Sequence, residues 1–212
     1  MIPNTTPLLR GAPMQSAAVV CVLTHGRGQS PEQMEDHTLA RLNAEGVAYI
    51  LPRAASGSWY DARAIDPMTE TTGAQLAASL GQLENAVAMV PRPLPLVMAG
   101  FSQGACLTLE YGFKFGLWRG GMVAFTGCRV GVTTDTRPHA DLKALPVYLS
   151  GADQDPWIPL PAHAAAALEL AAARARLRTD VFPGRAHEVG NAELAVLDRM
   201  LTQLASGQEV QW

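Results

Sequence analysis

The chain has 212 residues, 48% of them hydrophobic and 17% charged, and carries a net charge of −3. By the usual size scaling it should expose roughly 9,500 Å² when folded and bury about 70% of its surface. That excludes a disordered chain and leaves too little for two ordinary cores, so residues 1–212 read as one domain. Nucleic acid is not an expected partner, because Lys plus Arg (16) does not exceed Asp plus Glu (19) and phosphate binding needs clustered cations.

The predicted elements alternate from the start. Ala17–Thr24 is an apolar run ending in a glycine-rich turn, which predicts a buried strand. Ser30-Pro31-Glu32-Gln33 opens a helix, with serine at the cap and proline at the first position. Val47–Leu51 is a second strand, stopped by Pro52, and a loop rich in Gly, Ser and Pro follows to about Thr69. A long helix runs from Thr71/Thr72 to about Met89, a third strand over Leu94–Ala99, and a mostly helical segment over Phe101–Phe115. Met122–Thr126 and Val147–Ser150 are the fourth and fifth strands. An Ala-rich helix over Pro161–Arg176, a sixth strand over Leu177–Phe182 and an amphipathic helix over Ala192–Leu204 complete the chain. This alternation predicts an α/β fold: a mostly parallel sheet with helices on both faces. Strands buried on both sides explain the continuous apolar runs. In such sheets the sites lie just beyond the carboxyl ends of the strands.

Gly100-Phe101-Ser102-Gln103-Gly104 stands at such a point, between a strand and a helix. The flanking glycines permit a sharp turn that presents Ser102 at the tip of the sheet. A serine hydroxyl needs a base to take its proton. Of the five histidines, His187 follows the sixth strand and precedes the last helix, the expected place. His163 is expected at the surface of the Ala-rich helix; His139 and His37 lie on a loop and the first helix. The base needs a carboxylate to fix its tautomer, and the loop after the fifth strand offers both Asp153 and Asp155; spacing alone does not choose between them. The oxyanion of acyl transfer needs two N–H donors. The amide of Gln103 is one, and the turn His25-Gly26-Arg27-Gly28 can aim the amide of Arg27 as the other. The Arg27 side chain could meet an anionic substrate group or reach solvent.

Taken together, Thr24-His25-Gly26-Arg27-Gly28, Ser58-Trp59-Tyr60-Asp61, Gly100-Phe101-Ser102-Gln103-Gly104-Ala105, Asp155-Pro156-Trp157-Ile158-Pro159 and Pro183-Gly184-Arg185-Ala186-His187-Glu188 resemble the phospholipase/carboxylesterase family. That family includes acyl-protein thioesterases and small bacterial carboxylesterases. The resemblance implies an α/β-hydrolase fold, Ser102 as nucleophile and His187 as base. It also selects Asp155, the acid before proline, over Asp153. It places the oxyanion donors at Arg27 and Gln103 and puts Trp59 near an acyl-pocket wall, with core packing as the other reading. Tyr60 and Trp157 are expected around the same pocket. Arg27 departs from the apolar residue usual in the thioesterase branch and points toward the bacterial hydrolases with an H-G-R-G loop.

The expectation is therefore a serine hydrolase that cleaves carboxylic esters of short or exposed acyl groups, with little chain to spare for a cap. An acyl thioesterase or lysophospholipase would use the same triad, and a non-catalytic binding protein on this scaffold is the remote alternative. No cofactor and no metal are expected, since no Cys/His cluster has zinc-ligand spacing. The three cysteines, Cys21, Cys106 and Cys128, suit a reducing cytoplasm better than a disulfide scaffold. No membrane insertion is expected: Ala17–Leu23 is too short, and the stretch near Val87–Ala99 is broken by Pro91, Pro93 and Pro95. A homodimer is the oligomer that family analogy implies.

Overall fold

A computed structural model describes residues 5–212 of the chain. Its elements are β1 (Leu8–Gly11), β2 (Val19–Thr24), α1 (Pro31–His37), a 3-10 turn (Leu39–Arg41), β3 (Val47–Leu51), α2 (Glu70–Ala88), β4 (Leu96–Phe101), α3 (Gln103–Phe115), β5 (Gly120–Phe125), β6 (Pro146–Ala152), α4 (Leu160–Ala172), β7 (Arg176–Phe182) and α5 (Asn191–Ala205). The strands form one sheet in the order β1-β3-β2-β4-β5-β6-β7. Only β1 runs antiparallel, against β3; the other neighbours are parallel. The molecule exposes 9500 Å², the value the size scaling gives.

Local chemistry explains the helix starts. Ser30 and Gln33 exchange side-chain and backbone hydrogen bonds in a capping box ahead of α1. Thr69 Oγ1 accepts from Thr72 N at 3.1 Å to cap α2. The Ala-rich helix stops short of the predicted end. Arg174 takes a left-handed conformation (φ 62°), and Arg176 already belongs to β7. β1 was not predicted; it is a mostly exposed edge strand held by pairing to β3 rather than by burial.

Two apolar clusters cover the two faces of the sheet. Leu76, Leu80 and Leu83 of α2, Leu107 and Leu109 of α3, and Ala166 and Leu170 of α4 lie in one. Met34 of α1 and Leu194, Leu197 and Leu201 of α5 lie in the other. The loop between β5 and β6 is fastened by a buried ionic cluster. Arg129 bonds Glu110 of α3 at 2.7 Å and Glu169 of α4 at 2.7 Å, and Arg137 bonds Glu169 at 2.6 Å.

The parallel order brings the carboxyl ends of β2, β4, β5, β6 and β7 to one edge. The chain leaves β2 for α1 on one face and β4 for α3 on the other. The crevice between these two strand ends is the switch point where α/β sheets place their sites.

Candidate active site

Ser102 follows β4 in the strained conformation φ 56°, ψ −120°. This conformation is costly for a residue with a side chain and persists because its surroundings over-determine it. Ser102 N donates to Phe125 O of β5 at 2.9 Å. A Cβ on Gly100 would come within 2.5 Å of Gly104 backbone, and one on Gly104 would lie 2.4 Å from Thr24 O. The two glycines of the motif are thus required by close backbone approach. Thr24 Oγ1 donates across the same gap and lies within 3.0 Å of both Ala99 O and Gly104 O.

His187 Nε2 lies 2.7 Å from Ser102 Oγ, and His187 Nδ1 lies 2.6 Å from Asp155 Oδ2. Asp155 Oδ1 accepts from Trp157 N at 2.8 Å and Ile158 N at 2.9 Å. The Asp-Pro-Trp-Ile-Pro turn therefore orients the carboxylate before the histidine meets it. Burial disfavours the Asp155 charge, but the His187 ring and these two amides outweigh it and hold the carboxyl below its usual range. Its side chain is fully enclosed, while that of His187 is 15% exposed and packs against the Phe101 ring at 5.1 Å. Asp153, the other candidate acid, faces away and accepts from Gly184 N at 2.7 Å.

The His25–Gly28 turn lies against Ser102: a Cβ on Gly26 would be 3.3 Å from Ser102 Cβ. Within this turn Gly26 N donates to Gln29 Oε1, Gly28 N to Gly57 O and Gln29 N to Gly26 O. The Arg27 amide takes no part in these bonds. Gln103 N is the first amide of α3, where no intrahelical acceptor exists. Both residues line the cleft beside Ser102.

That cleft has a volume of about 320 Å³. Tyr60 and Trp157 line it, with Ile158, Ala64 and Cys106 as further apolar wall. Trp59 does not, contrary to the pocket role expected of it. It is buried behind the His25–Gly28 turn, packs on His25 at 4.8 Å and donates its indole N–H to His25 O at 2.8 Å. The Gln103 side chain accepts from Trp59 N and donates to Tyr60 O, clamping this segment to the Ser102 turn. No motif in the sequence points to that clamp. The Arg27 guanidinium bonds the carbonyls of Asp61 and Ala62 and lies 5.9 Å from the Tyr60 ring centroid, so it fastens the two loops together.

His163 also departs from expectation. It is buried, with Nε2 3.1 Å from Thr179 Oγ1, and its ring fills the space that Gly151 leaves open. His25 is buried too. Its Nδ1 lies 2.8 Å from Gly26 O, its Nε2 accepts from Ala54 N, and burial lowers its pKa.

Residues 11–205 match the family model described as Phospholipase/Carboxylesterase. The chain belongs to this family. The phospholipase/carboxylesterase family is one of serine hydrolases, esterases among them. The chain is similar to a solved phospholipase/carboxylesterase from Dyadobacter fermentans, at 28% identity and a TM-score of 0.85, over 95% of this chain and 98% of that one. An acyl-protein thioesterase 2 from Zea mays matches at 15% identity and a TM-score of 0.75, over 95% of this chain and 100% of that one. A carboxylesterase from Mesorhizobium loti matches at 16% identity and a TM-score of 0.68, over 92% of this chain and 93% of that one. The fold is the α/β-hydrolase fold, with no cap among the described residues. No curated protein sequence matches the chain. Among the described residues, no helix is long and apolar enough to cross a membrane.

Proposed function

We propose that this family member is a serine esterase that hydrolyses carboxylic esters of short or exposed acyl groups. The observation that carries the reading is the unbroken chain of short hydrogen bonds from Ser102 through His187 to Asp155 at the floor of a cleft. In the reading, the His187 proton rests on Nδ1, toward Asp155, which leaves the Nε2 lone pair facing the Ser102 hydroxyl. Ser102 Oγ attacks the acyl carbon as His187 takes its proton. The amides of Arg27 and Gln103 hold the oxyanion, aided by the positive end of the 13-residue α3. His187 then passes the proton to the departing alcohol, and a water activated by the same nitrogen releases the acid.

The short-acyl preference follows from volume. A space of about 320 Å³ lies at the small end of ligand pockets, which run from about 300 to 1,000 Å³. The test is a series of 4-nitrophenyl esters from acetyl to palmitoyl. The expected kcat/KM is highest for the shortest acyl groups; a long-chain optimum would contradict the acyl preference, and no turnover of any ester would contradict the esterase reading.

A further inference from the structure

A second groove of about 430 Å³ opens beside His187. It shares Gln29, Phe101 and His187 with the catalytic cleft, so the two meet at the general base. Its remaining walls come from α1 and the turn after it and from the segment just after His187. Asp36, His37, Arg41 and Glu188 supply the polar surface, and Met34 and Val189 the apolar floor. Neither Asp36, Glu188 nor Arg41 is in an ion pair with another described residue. Arg41 gives one N–H each to His37 O and Asn191 Oδ1, which fixes it at the groove wall and leaves further N–H donors.

The geometry of acyl transfer assigns the two spaces. Arg27 and Gln103, the oxyanion donors, line only the first cleft, whereas His187 lines both. The departing oxygen must face His187 Nε2 to take its proton. We propose that the second groove is the leaving-alcohol subsite and that it selects neutral, hydroxylated alcohols. Its wall offers carboxylate acceptors and guanidinium donors in the same small space. A hydroxyl can answer both, whereas an alkyl chain leaves them unanswered and a cationic or anionic group meets one like charge. The proposal rests on the esterase reading and names the alcohol half of its substrate.

By microscopic reversibility the leaving-alcohol subsite also binds an alcohol that intercepts the acyl-enzyme. The acetyl-enzyme is formed from 4-nitrophenyl acetate, and equal concentrations of glycerol or 1-propanol compete with water for it. Acetylglycerol, propyl acetate and acetate are then quantified. After division by two for the two primary hydroxyls of glycerol, glycerol is expected to capture the acetyl group about tenfold better than propanol, as two modest added hydrogen bonds would give. Arg41→Met and Asp36→Leu replace exposed side chains, and each is expected to cut the ratio at least threefold. A corrected ratio near one, a ratio that neither substitution moves, or a preference for choline over glycerol would overturn the proposal. Release of 4-nitrophenolate is followed separately. If no ester is turned over, the esterase reading itself has failed; if the ester is turned over without alcohol preference, only the subsite assignment has.

Discussion

Replacing Asp155 by Asn changes one atom and reverses the base. Oδ1 accepts from the amides of Trp157 and Ile158, so the Asn oxygen must keep that place. The new NH2 then stands where Oδ2 stood, 2.6 Å from His187 Nδ1. It can only donate, which forces the imidazole proton from Nδ1 to Nε2. The nitrogen 2.7 Å from Ser102 Oγ is then a donor and cannot accept the hydroxyl proton. The loss expected from a wrong tautomer with intact geometry is about 10⁴ in kcat, or about 5.5 kcal/mol of barrier. The assay is kcat on 4-nitrophenyl acetate, with circular dichroism to show that the fold is kept. Asp153→Asn is the control. That side chain bonds only Gly184 N and is expected to change kcat by less than about tenfold. An Asp155→Asn enzyme within tenfold of the parent, or an equal loss in both variants, would refute the reasoning.

Three further outcomes are expected. Gly104→Ala puts a Cβ 2.4 Å from Thr24 O and 2.5 Å from His25 O, so α3 and the turn that begins at His25 must separate by up to about 1 Å; kcat/KM should fall about 100-fold, and a change under threefold would contradict this. Arg129→Met leaves Glu110 buried without its cation and should cost about 3–5 kcal/mol, lowering Tm by about 6–20 °C, while the added Glu110→Gln change should recover part of the loss. Burial lowers the pKa of both His25 and His163, so the unfolded chain binds those protons first as pH falls below their ordinary value of 6.5. Stability present above that value should therefore be lost on acidification until the folded histidines titrate in turn, and a Tm that stays flat from pH 7 to pH 5 would contradict it.

Much of the fold was legible because buried strands and capped helices leave local marks. The expected strand Val47–Leu51 is β3 to the residue, and Ser30 caps α1 as expected, whereas α2 starts at Glu70 behind a Thr69 cap, ahead of the expected Thr71/Thr72. What escaped depends on partners distant in sequence. β1 is largely exposed, and only its pairing with β3 makes it a strand. The Ala-rich α4 has no clear polar side, so the sequence could not tell that His163 points inward over Gly151. Trp59 and Tyr60 are adjacent, and nothing local says that Tyr60 faces the cleft while Trp59 props up His25. The Arg129–Glu110–Glu169 cluster joins three elements and left no motif. At the candidate site the reverse holds. The strand-turn-helix context of Ser102 and the positions of the turns after the fifth and sixth expected strands are readable, because the parallel sheet delivers those turns to the same edge, while only the family resemblance selects Asp155 over Asp153.

The most direct measurement is fluorophosphonate labelling of the parent and of Ser102→Ala, read by intact mass and by peptide mapping, with ester hydrolysis followed in parallel. One adduct on Ser102 in the parent is expected, with no adduct in the variant and a loss of about 10⁴ to 10⁶ in turnover. An adduct mapped to another residue, or a Ser102→Ala protein that still hydrolyses the ester at a rate near the parent's, would contradict the account.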